Sequence, residues 1–242
     1  MKTALVTGSS RGIGRAIAVR LARDGYKVFV HGAGNLEKCE ETKKIIEQNG
    51  GVAEIIVSNL CDTSQTSKLL EKVGNVDVLV LNASVQYRNA WQNITLEECY
   101  NQINCNFVSS MLLIQAAVPY MKEQKWGRII TIGSVQEAKP HPDMLVYSAT
   151  KAAQTNMVKS LSLQLAKDGI TVNNVAPGAI ETDRNVEALS DAAYKQKVID
   201  SIPVGFIGQP EDCAGIVSLL CSDDGAYITG QNLFVDGGKS VQ

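Results

Sequence analysis

Three runs in this chain are apolar almost without a break: A-L-V at 4–6, V-D-V-L-V-L at 76–81 and R-I-I-T-I at 128–132. A strand with one wet face alternates polar and apolar side chains, whereas an unbroken run suits a strand covered on both faces. Between such runs lie longer stretches of helical spacing. Strands are predicted at about Thr3–Val6, Lys27–His31, Ala53–Val57, Val78–Leu81, Arg128–Ile132, Thr171–Val175 and Asn232–Val235. Helices are predicted near Gly14–Arg23, Leu36–Gln48, Ser64–Lys72, Leu96–Lys122, Tyr147–Lys167 and Pro210–Cys221. This alternation calls for an α/β, doubly wound domain: a mostly parallel seven-stranded sheet with right-handed crossovers and helices on both faces. No linker, repeat or low-complexity segment divides the 242 residues, so one domain over 1–242 is expected.

The first strand runs into T-G-S-S-R-G-I-G, with Gly8, Ser10, Arg11, Gly12, Ile13 and Gly14 on a strand-to-helix turn. Glycines there let a pyrophosphate approach backbone N–H groups at a helix N-terminus, the device of a Rossmann-type dinucleotide site. The spacing is G-x-x-x-G-x-G, wider than G-x-G-x-x-G. An acid at the end of the second strand would bond the adenosine 2′-hydroxyl of NAD(H) and repel a 2′-phosphate. Here that place reads His31-Gly32-Ala33-Gly34-Asn35, with no acid before Glu37. Arg11 can meet a phosphate through paired N–H groups. NADP(H) is therefore expected over NAD(H).

Ligands of open α/β sheets bind outside the C-terminal strand edge, and chemistry-bearing residues gather there. The fourth strand leads into Asn82-Ala83-Ser84, small residues that leave room for a ribose. The fifth ends at Ser134 and the sixth at Pro177-Gly178-Ala179-Ile180-Glu181-Thr182. Tyr147 and Lys151 share one helix face at i and i+4. A tyrosine with its ordinary pKa of about 10 is a poor proton donor and acceptor at neutral pH, and a lysine cation beside it favours the phenolate. Asn106, in mid-helix, is unfavourable there unless its amide has a task. Residues 183–203 form a polar stretch at the same edge, expected to be a mobile lid.

With 23 basic against 25 acidic residues and no basic block, neither nucleic acid nor an anionic membrane is an expected partner. The six cysteines show no C-x-x-C spacing, so no metal site is expected and the thiols read as reduced packing residues of a cytoplasmic protein. The start, M-K-T-A-L-V-T-G, lacks a signal peptide's apolar core. Cys99–Met121 carries no charge and is long enough to span a bilayer, but its Asn, Gln and Pro content fits a buried helix.

Taken together, T-G-S-S-R-G-I-G, Asn82-Ala83, Asn106, Ser134, Y-S-A-T-K at 147–151, P-G-A-I-E-T at 177–182 and F-V-D-G-G at 234–238 resemble the short-chain dehydrogenase/reductase family over the whole chain. The resemblance implies Tyr147 as general acid or base and Lys151 as the group that lowers its pKa and bonds the nicotinamide ribose. It implies Ser134 as donor to the substrate oxygen and Asn106 as holder of a relay water. Gly8–Gly14, His31, Asn59, Leu60, Asn82, Ala83, Ser84, Pro177, Gly178, Ile180 and Thr182 would line the cofactor. The chain departs from the family pattern at Ser84, usually glycine, and at Asn59, often aspartate. G-R-I-I-T-I-G-S-V resembles 3-oxoacyl-(acyl carrier protein) reductases, which dock an acidic carrier on basic rim residues; Arg128 is the candidate, while Lys167-Asp168 leaves a second one open. N-A-S-V-Q-Y-R and S-V-Q-E are similar to gluconate 5-dehydrogenases and related sugar-acid and polyol dehydrogenases. Gln86, Arg88, Gln136, Glu137 and His141 would then form a polar pocket, and a small polar substrate is the expectation. A binding protein that kept the cofactor site without the chemistry is the alternative of another class. The uncharged helix around 99–121 and the face at 152–165, whose only charge is Lys159, match the helices that family members pair across subunits, and the resemblance implies a homotetramer or dimer.

Overall fold

Successive strand residues point to opposite faces, and both faces of this sheet are filled. The computed structural model describes residues 1–242, except for the side chains of residues 187 and 188. The strands are β1 (Thr3–Val6), β2 (Lys27–Gly32), β3 (Val52–Val57), β4 (Val78–Leu81), β5 (Gly127–Ile132), β6 (Ile170–Pro177) and β7 (Asn232–Val235). The helices are α1 (Gly12–Arg23), α2 (Leu36–Gln48), α3 (Thr63–Ser67), α4 (Leu69–Val73), α5 (Leu96–Ile103), α6 (Ser109–Gln124), α7 (Leu145–Leu165), α8 (Val186–Leu189), α9 (Ala192–Asp200) and α10 (Pro210–Cys221). They form one sheet in the order β3-β2-β1-β4-β5-β6-β7, parallel at every pairing.

Ala4, Val6, Val28, Val30, Val78 and Val80 pack with α1, α2 and α10 on one face. Leu5, Phe29, Leu79 and Leu81 pack with α4, α6 and α7 on the other. Each fully buried side chain of this size contributes about 1.5–3 kcal/mol, which is why the continuous apolar runs fix the architecture. Strand order reverses between β1 and β4, opening a crevice above their C-terminal ends.

The predicted helix over 64–72 is two short ones, α3 and α4, parted at Lys68. The predicted helix over 96–122 is interrupted by a π-turn at Asn104–Val108, on which Asn106 sits. Residues 183–203 carry α8 and α9 rather than irregular chain. No helix of the described residues is long and apolar enough to cross a membrane.

At the sheet's opposite, N-terminal edge, Arg128 is only 2% exposed. Its guanidinium lies 4.3 Å from the Trp126 ring and donates to the carbonyls of Ser222 and Gly127. This corrects the expectation of Arg128 as a rim residue. Position 128 opens β5, far along the strand from the catalytic edge, and the stacked guanidinium is spent inside the fold.

Candidate active site

The glycine turn is built by close approach. A Cβ on Gly14 would lie 2.4 Å from the Gly8 carbonyl oxygen and 2.5 Å from Asn82 Nδ2. Gly8 and Gly12 have φ of +62° and +55°, the left-handed region where a side chain is strained. Asn82 ties the turn to β4, its Nδ2 donating to the carbonyls of Thr7 (2.9 Å) and Gly8 (3.0 Å). Thr7 Oγ1 in turn accepts from the N–H groups of Asn82 and Ala83. The Arg15 guanidinium donates to the Ser10 carbonyl from the other side, at 2.6 Å. Ile13 packs partly buried against the core below.

His31 serves this turn from within. Its Nδ1 accepts from the Gly8 N–H at 3.0 Å, which leaves the proton on Nε2 to donate to the Ser58 carbonyl at 3.0 Å. Burial pushes the imidazole pKa down to about 4, so the ring is neutral. Both nitrogens are engaged, and the expected role of His31 as a cofactor ligand gives way to one of shaping the turn. Asn59 is exposed and its Oδ1 accepts from the Cys61 N–H, while the Leu60 side chain is buried in the core.

Two cations converge at the end of β2. Arg11 Nη1 and Lys38 Nζ lie 3.9 and 3.4 Å from one oxygen, Asp183 Oδ2. Lys38 was not read from the sequence as a site residue. Its place on the first turn of α2, beyond the glycines of the β2 end, is the signal that could have found it. Thr182 closes over the turn from the β6 side, its methyl 3.4 Å from where a Cβ on Gly12 would be. Gly178 is fixed by its N–H to the Val235 carbonyl, and Ile180 is buried, bridging to Gly208. The residues present therefore fit a dinucleotide: a turn open to backbone contact, and an anion-binding pair beside it.

Ser134 ends β5 and caps the turn at Val135–Glu137. α7 begins at Leu145 and presents Tyr147 and Lys151, both buried, toward this edge. Lys151 Nζ donates to the Ile132 carbonyl at 2.7 Å and to Gln154 Oε1 at 3.0 Å. Gln154 Nε2 donates to Ser110 Oγ, and Ser110 Oγ to the Asn106 carbonyl. A chain of side chains thus runs from the lysine to the π-turn. The Asn106 side chain pairs both ways with the Val85 backbone (2.8 and 2.9 Å) and donates to Thr150 Oγ1.

The electrostatics differ from the expectation of a lysine-lowered phenol. Burial pushes the Tyr147 pKa up; Arg184 and Ser134 pull it down, and Glu137 adds to the rise. Burial, then Arg184, pushes the Lys151 ammonium down to about 7. With both groups desolvated, each neutral form is favoured. Lys151 faces the Ile132 carbonyl, its Nζ 5.7 Å from the tyrosine ring centre. The cation that bears on the phenol is Arg184. It comes from the segment after β6 and reaches across the cleft, Nη1 to Ser84 Oγ (3.2 Å) and Nη2 to the Ser84 carbonyl (2.9 Å). Sequence reading did not single it out, because its partner stands 100 residues away.

A family model described as enoyl-(acyl carrier protein) reductase matches residues 8–240, from the glycine turn to the last strand. The chain belongs to the short-chain dehydrogenase/reductase family. This dehydrogenase/reductase is 41% identical over 241 residues to the 3-oxoacyl-[acyl-carrier-protein] reductase FabG of Staphylococcus aureus, covering 98% of this chain and 97% of that one. Among solved structures it superposes on a 3-oxoacyl (acyl-carrier-protein) reductase from Agrobacterium tumefaciens with NADP bound, at TM-score 0.94, 34% identity, and 98% and 93% coverage. It superposes equally on a gluconate 5-dehydrogenase from Burkholderia cenocepacia in complex with NADP and tartrate, at TM-score 0.93, 31% identity, and 100% and 96% coverage. The dehydrogenase/reductase is thereby an oxidoreductase of alcohol and carbonyl groups.

The loop residues expected to face a substrate fare unequally in the dehydrogenase/reductase. The Glu137 carboxylate turns back to the sheet, accepting from Asn232 Nδ2 at 2.6 Å and from Asn174 Nδ2 at 3.3 Å. Gln136 Oε1 accepts from the His141 N–H, and His141 Nδ1 from the Asp143 N–H. These bonds hold the loop before α7. Arg88 is exposed and Gln86 half-buried on the loop after β4.

Proposed function

We propose that this dehydrogenase/reductase interconverts a ketone and a secondary alcohol with NADP(H), on a small polar substrate. The observation that carries the reading is the meeting of Ser134, Tyr147 and Lys151 at the sheet edge beside a glycine turn flanked by Arg11 and Lys38. When bound, the nicotinamide supplies or accepts the hydride. Tyr147 holds its proton firmly at neutral pH, because burial pushes its pKa up, and passes it to the substrate oxygen in reduction. Ser134 donates to that oxygen as charge develops on it. Lys151, poised near pKa 7, exchanges the proton and is held in place by Ile132 and Gln154. Asn106 fixes the loop at Val85 that forms the cleft's other wall. Arg11 and Lys38 would take the 2′-phosphate where they now hold Asp183. The NADP in the Agrobacterium and Burkholderia neighbours supports that choice.

A second reading, reduction of 3-oxoacyl groups on an acyl carrier protein, is favoured by the Staphylococcus relative. Against it, Arg128 is buried, and the residue before Gly169 is the acidic Asp168, paired with Lys122 at 3.2 Å and Lys125 at 3.4 Å. The tartrate in the gluconate dehydrogenase neighbour supports the small polar substrate. Following NADPH consumption on acetoacetyl thioesters beside sugar acids, polyols and simple ketones separates the two. Turnover confined to thioesters selects the carrier reading; NADPH binding with no turnover on the whole panel selects a regulatory protein. Assembly into a homotetramer or dimer fits the exposed Met111, Leu163, Tyr227 and Phe234, and a monomeric mass in light scattering would contradict it.

A further inference from the structure

Arg184 is placed by a pair of residues that meet only in the folded chain. Ser84 stands where the family pattern has a glycine, and its hydroxyl is what Arg184 Nη1 binds. The second contact uses the Ser84 carbonyl. Two of the five guanidinium N–H donors are thereby spent. No carboxylate among the described residues forms an ion pair with Arg184. The neighbouring acid, Asp183, turns to Arg11 and Lys38 instead. Arg184 nevertheless stands near enough to both buried groups to favour the phenolate of Tyr147 and disfavour the ammonium of Lys151. A guanidinium beside Tyr147, with donors to spare and no carboxylate partner among the described residues, leaves a place in the cleft for an anionic group.

The geometry points to Arg184 as the substrate-anchoring residue of this site, receiving a carboxylate on the carbon next to, or next but one to, the carbonyl that Tyr147 protonates. The class of substrate is a short 2-oxo or 3-oxo acid, or the corresponding hydroxy acid. This rests on the ketone–alcohol reading above and narrows it. A carboxylate matches the guanidinium fork, and a cleft that excludes water strengthens the pair. Ser84 would hold the guanidinium through one edge while the other meets the acid. Arg184 also bears on the Tyr147 phenol, so its removal acts on every substrate through that tyrosine and on acids additionally through the lost anchor.

The test compares acids with their own esters: acetoacetate with methyl acetoacetate, and 2-oxobutanoate with its methyl ester, each with NADPH. The parent enzyme should favour the acids. R184A should raise the KM for acids about 10- to 100-fold more than the KM for the matching esters, the range for losing a charge-assisted hydrogen bond, over and above any fall in kcat that acid and ester share through Tyr147; R184K should recover part of the difference. Equal loss on acid and ester in R184A, or a parent enzyme that turns over esters and not acids, overturns the proposal while leaving the oxidoreductase reading intact. If neither form turns over, calorimetric titration of 3-hydroxybutanoate into the NADP-loaded protein decides. Binding lost in R184A supports the anchoring role and sinks the ketone–alcohol reading, and absence of binding in the parent overturns both.

Discussion

Replacing Arg11 by alanine isolates one end of the cofactor site. Arg11 and Lys38 reach the same oxygen of Asp183 at 3.9 and 3.4 Å. Their side chains are 59% and 37% exposed, so the local dielectric is near that of water. With an effective dielectric of about 40–80, a unit charge pair at 3.9 Å is worth about 1–2 kcal/mol. R11A should therefore weaken NADPH binding roughly 5- to 30-fold, and Lys38 retains the remainder of the site. NADH has no 2′-phosphate, and its affinity should not move. Fluorescence titration of both cofactors against parent and R11A measures this. Because the pair is solvated, the NADPH preference should shrink as salt rises. Equal loss for NADPH and NADH, or a preference indifferent to salt, would refute the assignment of Arg11 and Lys38 to the phosphate.

Y147F should lower kcat by about 10²- to 10⁴-fold, the usual worth of a placed proton donor, with NADPH binding still measurable; near-parental turnover would remove Tyr147 from the mechanism. K151M tests the buried lysine by stability. The folded chain binds the Lys151 proton only below about pH 7, the unfolded chain up to its ordinary 10.5. The unfolded state holds more protons across that window, so this group makes stability rise with pH from about 7 to 10.5 and penalises folding fully below 7. The Tm difference between K151M and parent should accordingly be most favourable to the variant below pH 7 and decline toward pH 10; a difference constant with pH refutes it. G14A places a Cβ 2.4 Å from the Gly8 carbonyl, and should cost about 1–3 kcal/mol of stability, as overpacking does, together with cofactor affinity. An unchanged Tm and NADPH affinity would show that the turn yields.

Residues whose partners are set by period and topology were legible in the sequence. β1, β4 and β5 fall where the apolar runs predict them, to within a residue, because burial on both faces leaves a continuous signature. Ser134, Tyr147 and the glycine turn reach one edge because parallel strands all end there. What stayed hidden depends on side chains meeting across the cleft. Arg184 gains its place from Ser84, and Lys38 from Asp183, through loops with no periodicity. The task of His31 is decided by two carbonyl and amide partners that only folding brings near. Lys151 turns to Gln154 and Ile132, with no carboxylate among the described residues within ion-pair distance of it; i, i+4 spacing places it beside Tyr147 but does not aim its ammonium.

The π-turn at Asn104–Val108 also sets the angular phase of the rod formed by α5 and α6. At about 100° per residue, a regular helix would carry position 110 about 80° past position 102 after eight steps. The extra residue taken up by one wide turn removes about 100° of that advance. Gln102, Asn106 and Ser110 therefore lie almost in line, each buried. Gln102 meets the Tyr87 amide, Asn106 the Val85 backbone and Ser110 the Gln154 side chain. One inserted residue thus turns three scattered polar side chains into a ruled edge, against which both the loop after β4 and the lysine-bearing helix are registered.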